Sequence, residues 1–211
     1  MFEISPLLAY ETGVHLGDGN LTCKKEWNLS RITYAGNSAT DSEYFESILS
    51  GILRAIYGKS PRIYHPKGEQ TVLVVLNSKE IVRFKMETLG LPSGNKVQIK
   101  KFPPILMRRY PADLLRGLAD TDFCVYFNRN EPRIEGGFSN MHFASEIARI
   151  LKRLKIKFQQ RKLRRRGKFD EYRISICGRK QLSLWMQKVG FYNPKHLKKI
   201  NDFYSGSVVE F

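Results

Sequence analysis

Apolar positions along the chain fall into two copies of one pattern. In the first copy, residues 21–25 and 31–35 alternate as strands do. Phe45, Ile48, Leu49, Ile52, Leu53 and Ile56 then recur at helical spacing and predict a helix over 41–57, with Thr40 and Glu43 as a capping box and Gly58 as its stop. Strands at 61–65 and 70–76 follow, and a helix over 79–89 is closed by Gly90. In the second copy, 124–128 and 132–136 read as strands. Phe143, Ile147, Ile150, Leu151 and Leu154 mark a helix, and 157–163 and 171–177 are strands. Leu182, Trp185, Met186 and Val189 mark a last helix ended by Gly190.

A helix opens each copy. Ser5 is a good N-cap and Pro6 a good first helical residue; Pro111, with Asp113 in the first turn, serves the second helix. These helices carry Gly13 and Gly17, and Gly117 and Thr121, each pair four apart. Glycine inside a helix costs about 1 kcal/mol, and its usual return is close approach of another backbone. The two helices are therefore expected to pack on each other. Asp18 to Gly90 spans 72 residues and Asp122 to Gly190 spans 68. The chain reads as a duplicated αββαββα unit of the α/β (α+β) class: an N-terminal half 1–98, a linker 99–110 within the Pro-containing stretch 92–110, and a C-terminal half 111–211.

The 211 residues hold 36 Lys and Arg against 20 Asp and Glu, a net charge of +16, which points to a polyanionic partner. The charge is lopsided: residues 106–211 hold 23 basic and 10 acidic residues, and residues 1–105 hold 13 and 10. No run of 18 apolar residues exists, which excludes a membrane-spanning helix, and the N-terminus has neither a secretory nor a transit pattern. An intracellular setting is expected, the cytoplasm of a prokaryote or an organelle. Cys23, Cys124 and Cys177 suit a reducing compartment and read as small buried hydrophobes. Zinc-binding cysteine pairs, histidine clusters and glycine-rich phosphate loops are missing from the sequence.

Asp18 and Asp122 end the two opening helices. A carboxylate there opposes the helix dipole at about 0.3–1 kcal/mol, and two brought together repel each other. A divalent cation removes both problems, and hard oxygen ligands suit Mg²⁺ in phosphoryl chemistry.

The segments carrying these acids, Gly13-Val14-His15-Leu16-Gly17-Asp18-Gly19 and Leu115-Arg116-Gly117-Leu118-Ala119-Asp120-Thr121-Asp122, resemble the LAGLIDADG motif of homing endonucleases, with Phe123 replacing the last glycine of the second copy. Leu89-Gly90-Leu91-Pro92 with Gly94 and Lys96, and Ile105 after Pro103-Pro104, resemble the end of the first half in single-chain members. The resemblance implies two antiparallel saddle-shaped sheets joined by packed motif helices, on a monomeric pseudo-dimer that binds a long asymmetric site in double-stranded DNA. It implies an intron-encoded nuclease in which Mg²⁺ (or Mn²⁺) is held by Asp18 with Gly17 and by Asp122 with Thr121. The two aspartates are then the catalytic residues, and one phosphodiester per strand is hydrolysed across the minor groove. Many members place Lys or Gln just after the second strand of each half. Here those places hold Gly36-Asn37-Ser38 and Ser139-Asn140-Met141, so cleavage either uses a basic group from elsewhere or is slow.

Arg149 to Lys168 holds eleven basic residues and no acid. Of these, Arg161, Lys162, Arg164, Arg165, Arg166 and Lys168 read as a DNA-binding hairpin, joined on the same half by Arg129, Arg133 and Arg173. Alternation is expected to split Arg161 from Lys162 and Arg164 onto opposite faces. Their sparser first-half counterparts are Lys24, Lys25, Arg31, Arg62 and Lys67. The alternatives are a cleavage-deficient DNA-binding protein of the same fold, an intron RNA maturase, or a basic RNA-binding protein with a chance motif.

Overall fold

The computed structural model describes residues 2–24, 26, 28–128, 131–164 and 170–206. Helix α1 (Pro6–Asp18) starts at Ser5, whose Oγ accepts from Leu8 N at 3.2 Å. Strands β1 (Gly19–Lys24), β2 (Leu29–Asn37), β3 (Arg62–Tyr64) and β4 (Thr71–Asn77) form an antiparallel sheet in the order β1-β2-β4-β3. Helices α2 (Ser38–Glu43) and α3 (Ser50–Tyr57) enclose a π-helical stretch, Tyr44–Leu49, and α4 (Lys79–Glu87) completes the first unit. After α5 (Pro104–Arg109), α6 (Pro111–Asp122) opens the second. Strands β5 (Phe123–Asn128), β6 (Glu131–Phe138), β7 (Gln159–Leu163) and β8 (Glu171–Cys177) repeat the order as β5-β6-β8-β7, with α7 (Met141–Arg153), α8 (Arg179–Lys188) and α9 (Pro194–Gly206). No helix among the described residues is long and apolar enough to cross a membrane.

Each sheet buries one face under its helices, following the two-residue side-chain period. Ile32, Val74 and Leu76 point inward in the first, and Val125, Ile134, Ile174 and Ile176 in the second. The other face of each sheet is mostly polar and carries Arg31 and Arg62 in the first and Arg133 and Arg173 in the second, although Val75 on the first is buried.

Helices α1 and α6 run side by side in one direction. A Cβ on Gly13 would overlap the Leu114 carbonyl, and one on Gly117 the Tyr10 carbonyl. The glycines therefore let two backbones touch, as their spacing predicts.

Several local expectations change. Helix α2 begins at Ser38 because Asn37 Oδ1 accepts from Ala39 N at 2.8 Å, so Asn37 replaces the Thr40–Glu43 capping box. At the two motif ends Gly19 and Phe123 are both extended, at φ −84° and −105°. Phe123 is thus unstrained, and its ring is buried beside Phe138. None of the three cysteines is buried: Cys23 and Cys177 are half-buried, and Cys124 is exposed on the open sheet face.

Candidate active site

The parallel packing of α1 and α6 brings their C-terminal ends together. A Cβ on Gly17 would meet Thr121 Cβ at 3.0 Å and Asp122 Oδ1 at 3.1 Å, so the two motif ends are in contact. Burial raises the Asp18 carboxyl to about 6, against the pull of Lys96 and Lys195. Burial and then the Asp18 charge raise Asp122 to about 7, against Lys96. Two acids held this way resist ionisation until a cation joins them.

A lysine stands close enough to feel both charges. Lys96 lies in a 3₁₀ turn, Lys96–Gln98, that Asn95 caps through Val97 N at 2.9 Å. Its Nζ donates to the carbonyls of Leu16, at 3.1 Å, and of Gly17. Burial lowers its pKa, against the attraction of Asp122 and then Asp18. Asn140 pins the turn from the other half, its Nδ2 donating to Ile99 O at 3.0 Å and Val97 O at 3.4 Å, while its Oδ1 caps α7 through His142 N. The connection is also tied to β1, with Gly94 N donating to Leu21 O at 2.8 Å. A basic group therefore does reach the site, from the connecting segment and not from the strand ends. The sequence showed Lys96 only as part of a connecting pattern, and its contacts come from long-range folding.

The quasi-symmetric place in the second half is filled differently. Asn193 Nδ2 donates to Asp120 O at 3.0 Å, the carbonyl equivalent to that of Leu16. Lys195 Nζ is held by Asp41 Oδ1 at 2.6 Å. Burial pushes the Asp41 carboxyl up, but the hydrogen bond and charge of Lys195, with Thr40 and Asn193, bring it below its ordinary value. Asp120 accepts from Tyr10 OH at 2.6 Å and from Tyr192 N at 3.0 Å, and Tyr10 OH pairs with Tyr44 OH at 2.7 Å. Asp120, Tyr10, Tyr44, Asp41, Asn193 and Lys195 were not singled out from the sequence as site residues.

A cavity of about 410 Å³ opens beside Asp122, lined by Gly17, Asn20, Lys96, Val97 and Asn140 among others. The donor set fits a hard divalent cation: two adjacent carboxylates and a backbone carbonyl at Gly17. Thr121 Oγ1 itself donates to Leu118 O at 3.0 Å. Among the described residues no cluster of three His, Cys, Asp or Glu exists, so further ligands to a cation here would come from carbonyls, water or phosphate oxygens.

The remaining predicted residues divide by face. Strand register puts Lys24, Arg31 and Arg62 on the open face of the first sheet, with Arg31 Nε donating to Asn77 Oδ1 at 3.0 Å, and Lys67 lies exposed in a turn. Arg133, Arg173 and Arg161 share the open face of the second sheet. Arg173 is bound to Glu171 at 2.8 Å and Glu135 at 3.5 Å. Lys162 points to the other face, 2.6 Å from Asp170 and over the Tyr172 ring at 5.7 Å. Arg164 is exposed, and Lys25, Arg129, Arg165, Arg166 and Lys168 lie outside the described residues.

Residues 109–190 match the sequence model of the LAGLIDADG-like domain. No curated protein sequence matches the chain. Among solved structures, the homing endonuclease I-DmoI in complex with DNA and Mn is 17% identical with a TM-score of 0.63, over 89% of this chain and 98% of that one. The I-LtrWI LAGLIDADG homing endonuclease bound to target DNA is 13% identical with a TM-score of 0.59, over 96% and 90%. The N-terminal LAGLIDADG domain of DUF199/WhiA is 14% identical with a TM-score of 0.56, over 94% and 86%.

Proposed function

From a chain with the LAGLIDADG homing-endonuclease fold, whose second half is a LAGLIDADG-like domain, we propose a site-specific DNA endonuclease that uses Mg²⁺ or Mn²⁺ to cut both strands. The observation that carries this reading is the meeting of Asp18 and Asp122 at two helix ends, with Lys96 bonded to Gly17 O beside them. I-DmoI, which shares the fold, binds DNA with Mn or Ca.

Asp18 and Asp122, with the Gly17 carbonyl, would hold the cation. When bound, it supplies an electrophile for the phosphate oxygens and lowers the pKa of water. Lys96 places a positive charge where negative charge grows on the phosphate. The open sheet faces hold the duplex through Arg31, Arg62, Arg133 and Arg161. Both halves are in one chain, 1–98 and 111–211 joined by 99–110, so the protein acts as a monomer on a long asymmetric site. An intron-encoded origin and an intracellular compartment fit this reading, and the three free cysteines suit the latter.

The test is selection of duplexes from a randomised pool in Ca²⁺, then cleavage of the winners in Mg²⁺. Asp18→Asn and Asp122→Asn should each abolish double-strand cleavage while binding stays within about tenfold, or 1.4 kcal/mol. A variant that still cuts both strands at the normal rate would overturn the assignment.

A second reading, a binding protein without cleavage, is favoured by one observation: the Lys96 ammonium engages the Gly17 carbonyl, a group expected to face the metal. In that case the selected duplexes bind but stay intact at every Mg²⁺ and Mn²⁺ concentration.

A further inference from the structure

A second cavity of about 410 Å³ lies between α5, α7 and the start of α6. Pro111, which lines it, is the first residue of α6, and Asp122 is the last. About 16 Å of helix therefore separates the cavity from the paired aspartates. Helix α7 packs on β6 and β8 through Phe143, Ile147, Ile150 and Leu151. The cavity is thus on the helix-covered side of the second sheet, opposite the face of Arg133 and Arg173. Its walls are tied together. Arg153 donates from Nη1 to Met107 O at 2.9 Å and from Nη2 to Arg108 O at 3.1 Å, joining α7 to the end of α5. Phe102 is buried edge-to-face against Phe143, with ring centroids 5.1 Å apart.

Three kinds of group line this space. Phe102, Met107 and Ile150 supply apolar surface, and Lys101, Arg108 and Arg149 are exposed cations around it. Glu146 is the one carboxylate among the lining residues and is only 4% exposed. Arg149, one turn along the same helix, is the only partner described for it, with Nη1 3.0 Å from Oε1. The arginine side chain is itself 68% exposed, and such local pairs are weak, so Arg149 is readily exchanged for another donor.

A cavity of this size and lining suits one small ligand. The ligand needs a flat apolar body, N–H donors for the buried carboxylate and an anionic group for the cations. A nucleotide has the body and the anion. Among the common bases only guanine carries two adjacent N–H donors on one edge, N1–H and N2–H, spaced for the two oxygens of a carboxylate. Adenine and cytosine set an acceptor nitrogen beside their amine, and uracil sets its single N–H between two carbonyls. We propose that this cavity binds an unpaired guanine nucleotide. Guanine N1–H and N2–H donate to Glu146, and Arg149 turns to the phosphate beside Lys101 and Arg108. A guanine inside a duplex is excluded, because its pairing edge is already used. The inference goes beyond the nuclease reading and does not depend on it.

The experiment is calorimetric titration of the full chain with GMP, IMP, AMP, guanosine and inorganic phosphate. GMP should bind saturably below about 1 mM. IMP lacks only the 2-amino group and should bind about tenfold more weakly, the worth of one hydrogen bond. AMP and inorganic phosphate should bind more weakly still. Glu146→Gln should weaken GMP by at least about tenfold and shrink its advantage over IMP. Lys101→Ala/Arg108→Ala, which changes exposed residues alone, should lower GMP toward the affinity of guanosine. Melting temperatures of the variants check their folds, and if Glu146→Gln is unfolded, the GMP-to-IMP ratio and the double variant still decide. A short single-stranded RNA or DNA with one guanine distinguishes the sources: tighter binding than GMP assigns a strand, and equal binding assigns the free nucleotide. Equal affinities for GMP, IMP and AMP, or no saturable binding of GMP up to about 10 mM, would overturn the proposal and leave the nuclease reading untouched.

Discussion

Charge placed in unusual surroundings decides what single residues do here. Lys96 is drawn from a connecting segment into contact with the Leu16 and Gly17 carbonyls, where burial lowers its pKa and two aspartates hold it charged. Lys96→Ala should slow cleavage at saturating DNA by about 10²–10³, the typical loss of one preorganised electrostatic group. Affinity measured in Ca²⁺ should change less than about tenfold, and equal losses in rate and affinity would demote the residue to a DNA anchor. A second lysine shows the opposite use of charge. Lys85 is fully buried, 2.6 Å from Glu11, which also accepts from Tyr57 OH at 3.0 Å and from Tyr34 OH. Removing one member of such a pair leaves an uncompensated buried charge. Lys85→Met should cost about 3–5 kcal/mol in denaturant unfolding. The second half has Leu115 where the first has Glu11, so an apolar solution exists in the same fold. The double change Glu11→Leu/Lys85→Met should recover most of the loss, and a double variant as unstable as Lys85→Met would show that the pair is needed for more than neutralisation.

Between elements, stability and site geometry depend on the same contacts. Gly13→Val or Gly117→Val would drive a side chain into the opposing backbone and separate α1 from α6. A loss of at least about 3 kcal/mol is expected, at the upper end for overpacking because backbone cannot move aside as a side chain does. Calorimetry showing wild-type stability would refute the close approach. The C-terminal helix is anchored in another way. His196 on α9 is only 1% exposed, and its ring centroid lies 4.7 Å from that of Phe191. Burial, with the nearby Lys195 charge, lowers its pKa to about 4. In the unfolded chain histidine titrates near 6.5, so acidification favours unfolding. Its contribution is full above pH 6.5 and is lost as pH falls toward 4, by up to about 3 kcal/mol. His196→Phe should remove that part of the acid limb, and superimposable pH–stability curves would argue against it. The motif helices and most strands were legible in the sequence, because their periodicity and glycine spacing are local. Helix α9 was not read, nor was α5 within the connection, and neither were the Lys96 and Lys195 contacts. Those positions are set by partners roughly 80 and 150 residues away in the chain, such as Leu16 and Asp41. The π-helical stretch also escaped the pattern. It turns both Tyr44 and Phe45 inward, the first to Tyr10 and the second against Gly36.

At the scale of the whole molecule, a net charge of +16 fits a polyanionic partner but does not say where it would lie. The two open sheet faces supply the direction, and the segment Arg161-Lys162 tests it. These neighbours have the same charge and nearly the same place in sequence, yet strand alternation sends them to opposite faces. Arg161 shares the open face with Arg133 and Arg173. Lys162 turns toward Tyr172 and is paired with Asp170 at 2.6 Å. If the open face meets the duplex, Arg161 neutralises a phosphate and releases a counterion, whereas Lys162 does neither. In a salt titration of a selected duplex, Arg161→Ala should flatten the log–log slope by about 0.9, and Arg62→Ala on the first sheet should do the same. Lys162→Ala should leave the slope nearly unchanged, since it removes a charge that already has a partner on a face turned away. A general electrostatic attraction, with no defined docking face, predicts equal changes for Arg161 and Lys162. Equal slopes for the two variants would therefore reject the open faces as the DNA surface, even if both bound more weakly than wild type.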